Sequence, residues 1–117
     1  MIRPGRHDIT IPQRATFREP LLLKAEGEPL DLTGYDARAQ VWDRRRTVQY
    51  AELGIDWVNR LAGRLDLVLN PLGTTQVTQD AYWDLLITEP SGERYYWLEG
   101  RAYVDPGLTD DPPEPTP

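Results

Sequence analysis

The chain has 117 residues, 39% hydrophobic and 27% charged, which suits one domain with one modest core. No run approaches the roughly 18 apolar residues of a membrane-spanning helix, and no signal-like apolar segment follows the arginines of Met1–Arg6. Cysteine is absent, which excludes disulfides, thiolate metal sites and cysteine nucleophiles, and 13 basic against 19 acidic residues leave −6, the wrong sign for a nucleic-acid binder.

In chain order, short segments with the two-residue alternation of half-buried strands follow one another between prolines and glycines. Ile9 and Ile11 flank Thr10. Tyr35, Ala37, Ala39 and Val41 share one face, with Asp36, Arg38, Gln40 and Trp42 on the other. Leu65, Leu67 and Leu69 alternate with Arg64, Asp66 and Val68. Trp83, Leu85 and Ile87 alternate with Tyr82, Asp84 and Leu86. Finally Tyr96, Leu98, Gly100, Ala102 and Val104 oppose Trp97, Glu99, Arg101 and Tyr103.

Only Leu72–Gln79, after Pro71, suits a short helical turn. Pro90 and Gly92 frame a hairpin turn, because proline presets φ and glycine accepts positive φ. Asp31 and Gly34 mark another: the carboxylate can accept from amides two or three residues on, and Gly34 lets the chain reverse. About seven strands joined by short turns predict an all-β, antiparallel, immunoglobulin-like β-sandwich. Residues 1–104 form this body. Residues 105–117, with five prolines, four acids and no basic residue, form an acidic tail expected to be extended or dangling.

Little of this sequence suits catalysis. His7 is the single histidine and Ser91 the single serine, the latter in a turn without a G-x-S-x-G elbow. Asp66 and Asp84 are candidate paired carboxylates, but acids on a sheet face beside Arg64, Arg94 and Arg101 more simply form cross-strand ion pairs. Asp110-Asp111 lacks the spacing of a calcium loop. No phosphate-cradling glycine loop is present, so no enzyme, cofactor or metal is expected.

The aromatic residues carry more information. Four tryptophans and six tyrosines stand against one phenylalanine, a choice suited to surfaces with one apolar and one wet side. Trp83 falls on the core face. Trp42, Trp97 and Tyr103 fall on the opposite faces of their strands, where a loop, a partner protein or a sugar would cover them. Trp57, within Ile55–Asn59, is assigned to neither face. Arg44, Arg45 and Arg46 form a polar loop that can reach an anion or a partner.

The order Ile9–Phe17, Asp31-Leu32-Thr33-Gly34-Tyr35, Gly63–Leu67, Tyr82-Trp83-Asp84-Leu85, Pro90-Ser91-Gly92 and Leu98–Val104 resembles small virion proteins of tailed bacteriophages, and the amino-terminal immunoglobulin-like domain of phage baseplate upper proteins. The resemblance spans residues 9–104. Arg14 departs from it, standing where the family usually has glycine. The shared motifs are scaffold residues, so no ligand or catalytic residue is carried over.

The resemblance implies a non-enzymatic adaptor that docks baseplate or tail-fibre components, present in several copies, with other virion proteins as partners and neither nucleic acid nor membrane. Its place would be the phage particle, after synthesis in the host cytoplasm. Head decoration or head–tail connection is the alternative within this class, and a carbohydrate-binding module the alternative outside it.

Overall fold

The computed structural model describes residues 4–112. The start of the Met1–Arg6 stretch and the last five residues of the acidic tail lie outside them. Among the described residues ten strands form: β1 (Gly5–Arg6), β2 (Ile9–Pro12), β3 (Phe17–Leu22), β4 (Lys24–Ala25), β5 (Glu28–Pro29), β6 (Asp36–Trp42), β7 (Gln49–Asn59), β8 (Arg64–Leu69), β9 (Ala81–Thr88) and β10 (Arg94–Asp105). Those of four residues or more number seven, as the alternation predicts. One short helix, α1 (Pro71–Thr75), starts where proline is tolerated, and the Asn70 side chain caps it by accepting from the Gly73 amide at 2.7 Å.

The protein is all-β. One curled sheet runs β1–β10–β9–β6–β7–β8–β3, with β2 also on β10, and a separate hairpin joins β4 to β5. The two layers share β7: its first half pairs with β6 and its second half with β8. Gly54 stands at that change of partner, where a Cβ would lie 2.8 Å from Val68. Between the layers, Ile9, Ile11, Val41, Leu53, Trp83, Leu85 and Ile87 meet Phe17, Leu21, Leu65 and Leu67 in one buried core. Each alternating stripe from Ile9 to Ile87 faces as its sequence predicts.

Two features differ from expectation. First, β1 and β2 run parallel to β10, whereas short turns predict antiparallel neighbours throughout. The turn argument applies only to strands adjacent in the chain, and some 90 residues separate these two. Second, the register of β10 on β9 slips between Tyr96 and Leu98. This bulge breaks the period of two at Trp97 and returns Tyr96 to the solvent side.

The Asp31–Tyr35 turn forms as its residues dictate. Asp31 accepts from the Thr33 amide (3.0 Å) and hydroxyl (2.7 Å), the Tyr35 amide donates to the Leu32 carbonyl, and Gly34 takes φ 80°. Gly34 also lies against Pro90, so the two turns read from the sequence pack on one another. In the hairpin turn itself, Gly92 takes φ 93° and its amide donates to the Glu89 carbonyl at 2.8 Å.

The hydroxyl and amide of Thr33 hold the Asp31 carboxyl below its ordinary value. A carboxyl lowered on folding stabilises above its unfolded pKa and loses that contribution as pH falls through the folded one. Asp31→Ala is therefore expected to lower the urea midpoint at pH 7, with the difference closing as pH falls through the lowered folded pKa. Coincident midpoints at pH 7 would refute this account of the turn.

Candidate functional site

The outer face of β6, β9 and β10 carries the most chemically varied surface. Cross-strand register builds it in rows: Trp42 opposite Tyr82 and Tyr82 opposite Arg101, then Gln40 opposite Asp84 and Asp84 opposite Glu99, with Arg6 of β1 beside Glu99. These rows floor a concavity of about 380 Å3, which continues into a second of about 290 Å3 through Gln40, Trp42, Arg46 and Asp84.

The loop between β6 and β7 overhangs this furrow. Asp43 fixes it, accepting from the Thr47 hydroxyl and from the Thr47 and Val48 amides at 2.6 and 2.9 Å. Those donors hold the Asp43 carboxyl below its usual range. Arg46 takes the left-handed conformation (φ 57°), and its guanidinium stacks 4.7 Å from the Trp42 ring centroid. The Trp42 indole donates to Gln40 at 2.8 Å, which fixes the ring from its edge. Arg101 lies between Tyr82 (4.9 Å) and Tyr103 (5.3 Å), its buried Nε without a hydrogen-bond acceptor among the described residues.

Of the residues singled out from sequence, Trp42, Arg44 and Arg46 meet in the furrow, and Tyr103 shares its face through Arg101. Arg45 is exposed at the loop tip and does not line it. Trp97 is absent from this face. The bulge turns it toward the core edge, where it packs half-buried, so its expected place beside Trp42 is corrected. Tyr82, Glu99, Arg101 and Arg6 join instead, and only strand register reveals that they converge.

The acids divide. Asp66 does form a cross-strand ion pair, although its partner is Arg18, 2.6 Å from Asp66 and 2.9 Å from Asp56, in place of Arg64, Arg94 or Arg101. Asp84 forms none. It is half-buried opposite Glu99, and burial followed by that like charge pushes its pKa up, with Arg46 opposing. The two candidate carboxylates thus sit on different layers and do not converge. Among the described residues no group of three or more histidines and acids gathers to hold a metal.

His7 lies where the amino-terminal segment crosses β10. Its carbonyl accepts from the Trp83 indole at 2.8 Å, and its ring contacts Glu19 at 3.4 Å. Trp57, left unplaced by its sequence pattern, is half-buried beneath Arg60, whose guanidinium is 3.8 Å from the ring centroid and also donates to the Leu32 and Tyr35 carbonyls.

Arg14 keeps the left-handed turn without glycine, at φ 65°. Its guanidinium donates to the carbonyls of Pro106 and Thr109 and lies 3.3 Å from Asp110. The first part of the tail is consequently turned back and held, where a proline-rich segment was expected to extend freely. Its turn begins at Asp105, which accepts from the Gly107 amide at 3.0 Å.

No known family matches this sequence, and no curated protein does. Among solved structures, the N-terminal domain of phage TP901-1 ORF48 superposes with a TM-score of 0.54 at 12% identity, over 86% of this chain and 98% of that one. The fold is similar to that of this phage domain. The likeness to the TP901-1 ORF48 domain lies in the backbone path, because at this identity few side chains are shared. The furrow over Trp42 is therefore described from this chain's own residues.

Proposed function

We propose that the protein is a non-enzymatic structural component of a tailed-phage particle, an adaptor that docks baseplate or tail-fibre components through protein–protein contacts. The supporting observation is the fold likeness to the phage TP901-1 ORF48 domain along nearly its whole length. The motif order from Ile9 to Val104 points the same way. Its partners are other virion proteins, met in several copies, so that weak single contacts sum through avidity. The face that carries half-buried Trp42 and Tyr82 and exposed Tyr103, rimmed by arginines, has the composition of a protein-binding surface.

Mass spectrometry of gradient-purified particles, with heads and tails separated, tests this reading. Recovery with tails at fixed stoichiometry is expected. Recovery with heads would replace the adaptor by a decoration or connector protein, and absence from every particle would overturn the virion reading.

A further inference from the structure

We propose that the furrow over Trp42 receives an acidic, proline-rich peptide, and that its occupant is the segment Asp111–Pro117 of a second copy of this chain. The first support is charge. Although the protein carries −6, Arg44, Arg46 and Arg94 line the furrow with no carboxylate within ion-pairing distance among the described residues. Arg6 and Arg38 also line it, held by Asp8 and Glu52. Of the opposing acids, Asp84 and Glu99 lie on the sheet itself and Asp43 is taken up by the Thr47 and Val48 donors, whereas the Arg44 and Arg46 guanidinium groups belong to the overhanging loop, so a peptide crossing the lip meets them.

The second support is shape and chemistry. Trp42 and Tyr82 lie side by side on the floor, flanked by the Arg46 and Arg101 guanidinium groups that stack on them, and such aromatic and arginine surfaces accept the ready-made extended helix of acidic proline-rich segments. Asp111–Pro117 holds four prolines, two acids and no basic residue. Proline already restricts that segment, so little ordering entropy opposes docking. The third support is the Arg14 clamp. It holds Pro106–Asp110 at the β2 side, with β10 and β9 between it and β6, and occupies Asp110 within its own molecule. Asp111 and Pro112 follow this clamp directly, both exposed. This contact stands independently of the virion reading, and particle composition would leave it untouched.

The test titrates a synthetic Asp111–Pro117 peptide into the 15N-labelled full chain and follows amide and indole shifts, with sedimentation velocity of the chain alone across concentration. Shifts are expected at the Trp42 indole and at Arg44, Arg46 and Tyr82. Association should weaken about tenfold with Arg44→Glu, and similarly in molar salt, where charge attraction is screened. The dispersion of the same spectrum reports whether the variant is folded.

Several outcomes would overturn the proposal: no shifts at millimolar peptide, shifts confined to another face, or equal binding of a peptide carrying Asp111→Asn and Glu114→Gln. A lysine-rich peptide binding there in preference would assign the furrow to Asp84 and Glu99. If neutralising the same two acids in the chain itself moved the Trp42 signals independently of concentration, the occupant would be the chain's own tail and not a second copy's.

Discussion

Replacing Gly100 by alanine is expected to cost about 3 kcal/mol or more, at the upper end of overpacking effects, and to lower the melting temperature by about 10 °C. A Cβ at this buried position would stand 2.1 Å from the His7 carbonyl oxygen and 2.7 Å from its carbon. The obstruction is backbone, so no side-chain rotation relieves it. The chain crosses Gly100 at this point because β1 and β2 are two pieces of one parallel edge, interrupted at His7-Asp8. Three hydrogen bonds fix the crossing: His7 amide to Glu99 carbonyl (2.9 Å), Trp83 indole to His7 carbonyl (2.8 Å) and Arg101 amide to the Asp8 carboxylate (2.8 Å). Lifting His7 away would break all three and loosen Ile9 and Ile11 from the core. Urea unfolding and hydrogen exchange check this together. An unchanged midpoint, or protection lost anywhere but in residues 5–12, would contradict the crossing as the source of the constraint.

That crossing illustrates what a single sequence discloses. Alternation is local, so the inward faces of β6, β8 and β9 follow from the order of apolar and polar residues, as does the burial of Trp83. Turn chemistry is also local, and Asp31, Gly34, Pro90 and Gly92 act as their residue types require. Strand direction and register depend on partners distant in the chain. Nothing near Ile9 shows that it lies beside Ala102, and nothing near Asp84 shows that Glu99 faces it across the ladder. The candidate site is made of such distant pairs, so sequence reading finds Trp42 and the Arg44–Arg46 loop but not Tyr82, Glu99 or Arg101. Arg14 is a different case. Its departure from glycine was visible, but the compensation comes from Pro106 and Thr109 some 90 residues later.

Trp97 and Trp42 look alike in sequence and are expected to respond oppositely to alanine. Trp97→Ala should destabilise the monomer by about 2 kcal/mol, less than the roughly 3–5 of a fully buried tryptophan because Trp97 is half-buried. The bulge between Tyr96 and Leu98 sets this difference: one extra residue in β10 exchanges the faces of its two halves. A strict alternation continued through residue 97 would have placed the ring outward. Trp42 has no such shift on its side of the sheet toward β9, where Asp36 to Trp42 pair without interruption. Its indole donates to Gln40 and its ring supports Arg46, and its loss should leave the melting temperature within about 2 °C, as substitutions away from the core do. Thermal unfolding of the two variants side by side decides the matter. Equal stability would mean that Trp97 does not belong to the core edge. A Trp42→Ala chain that stays folded yet fails to enter particles would make the Trp42 face the surface through which the domain is held.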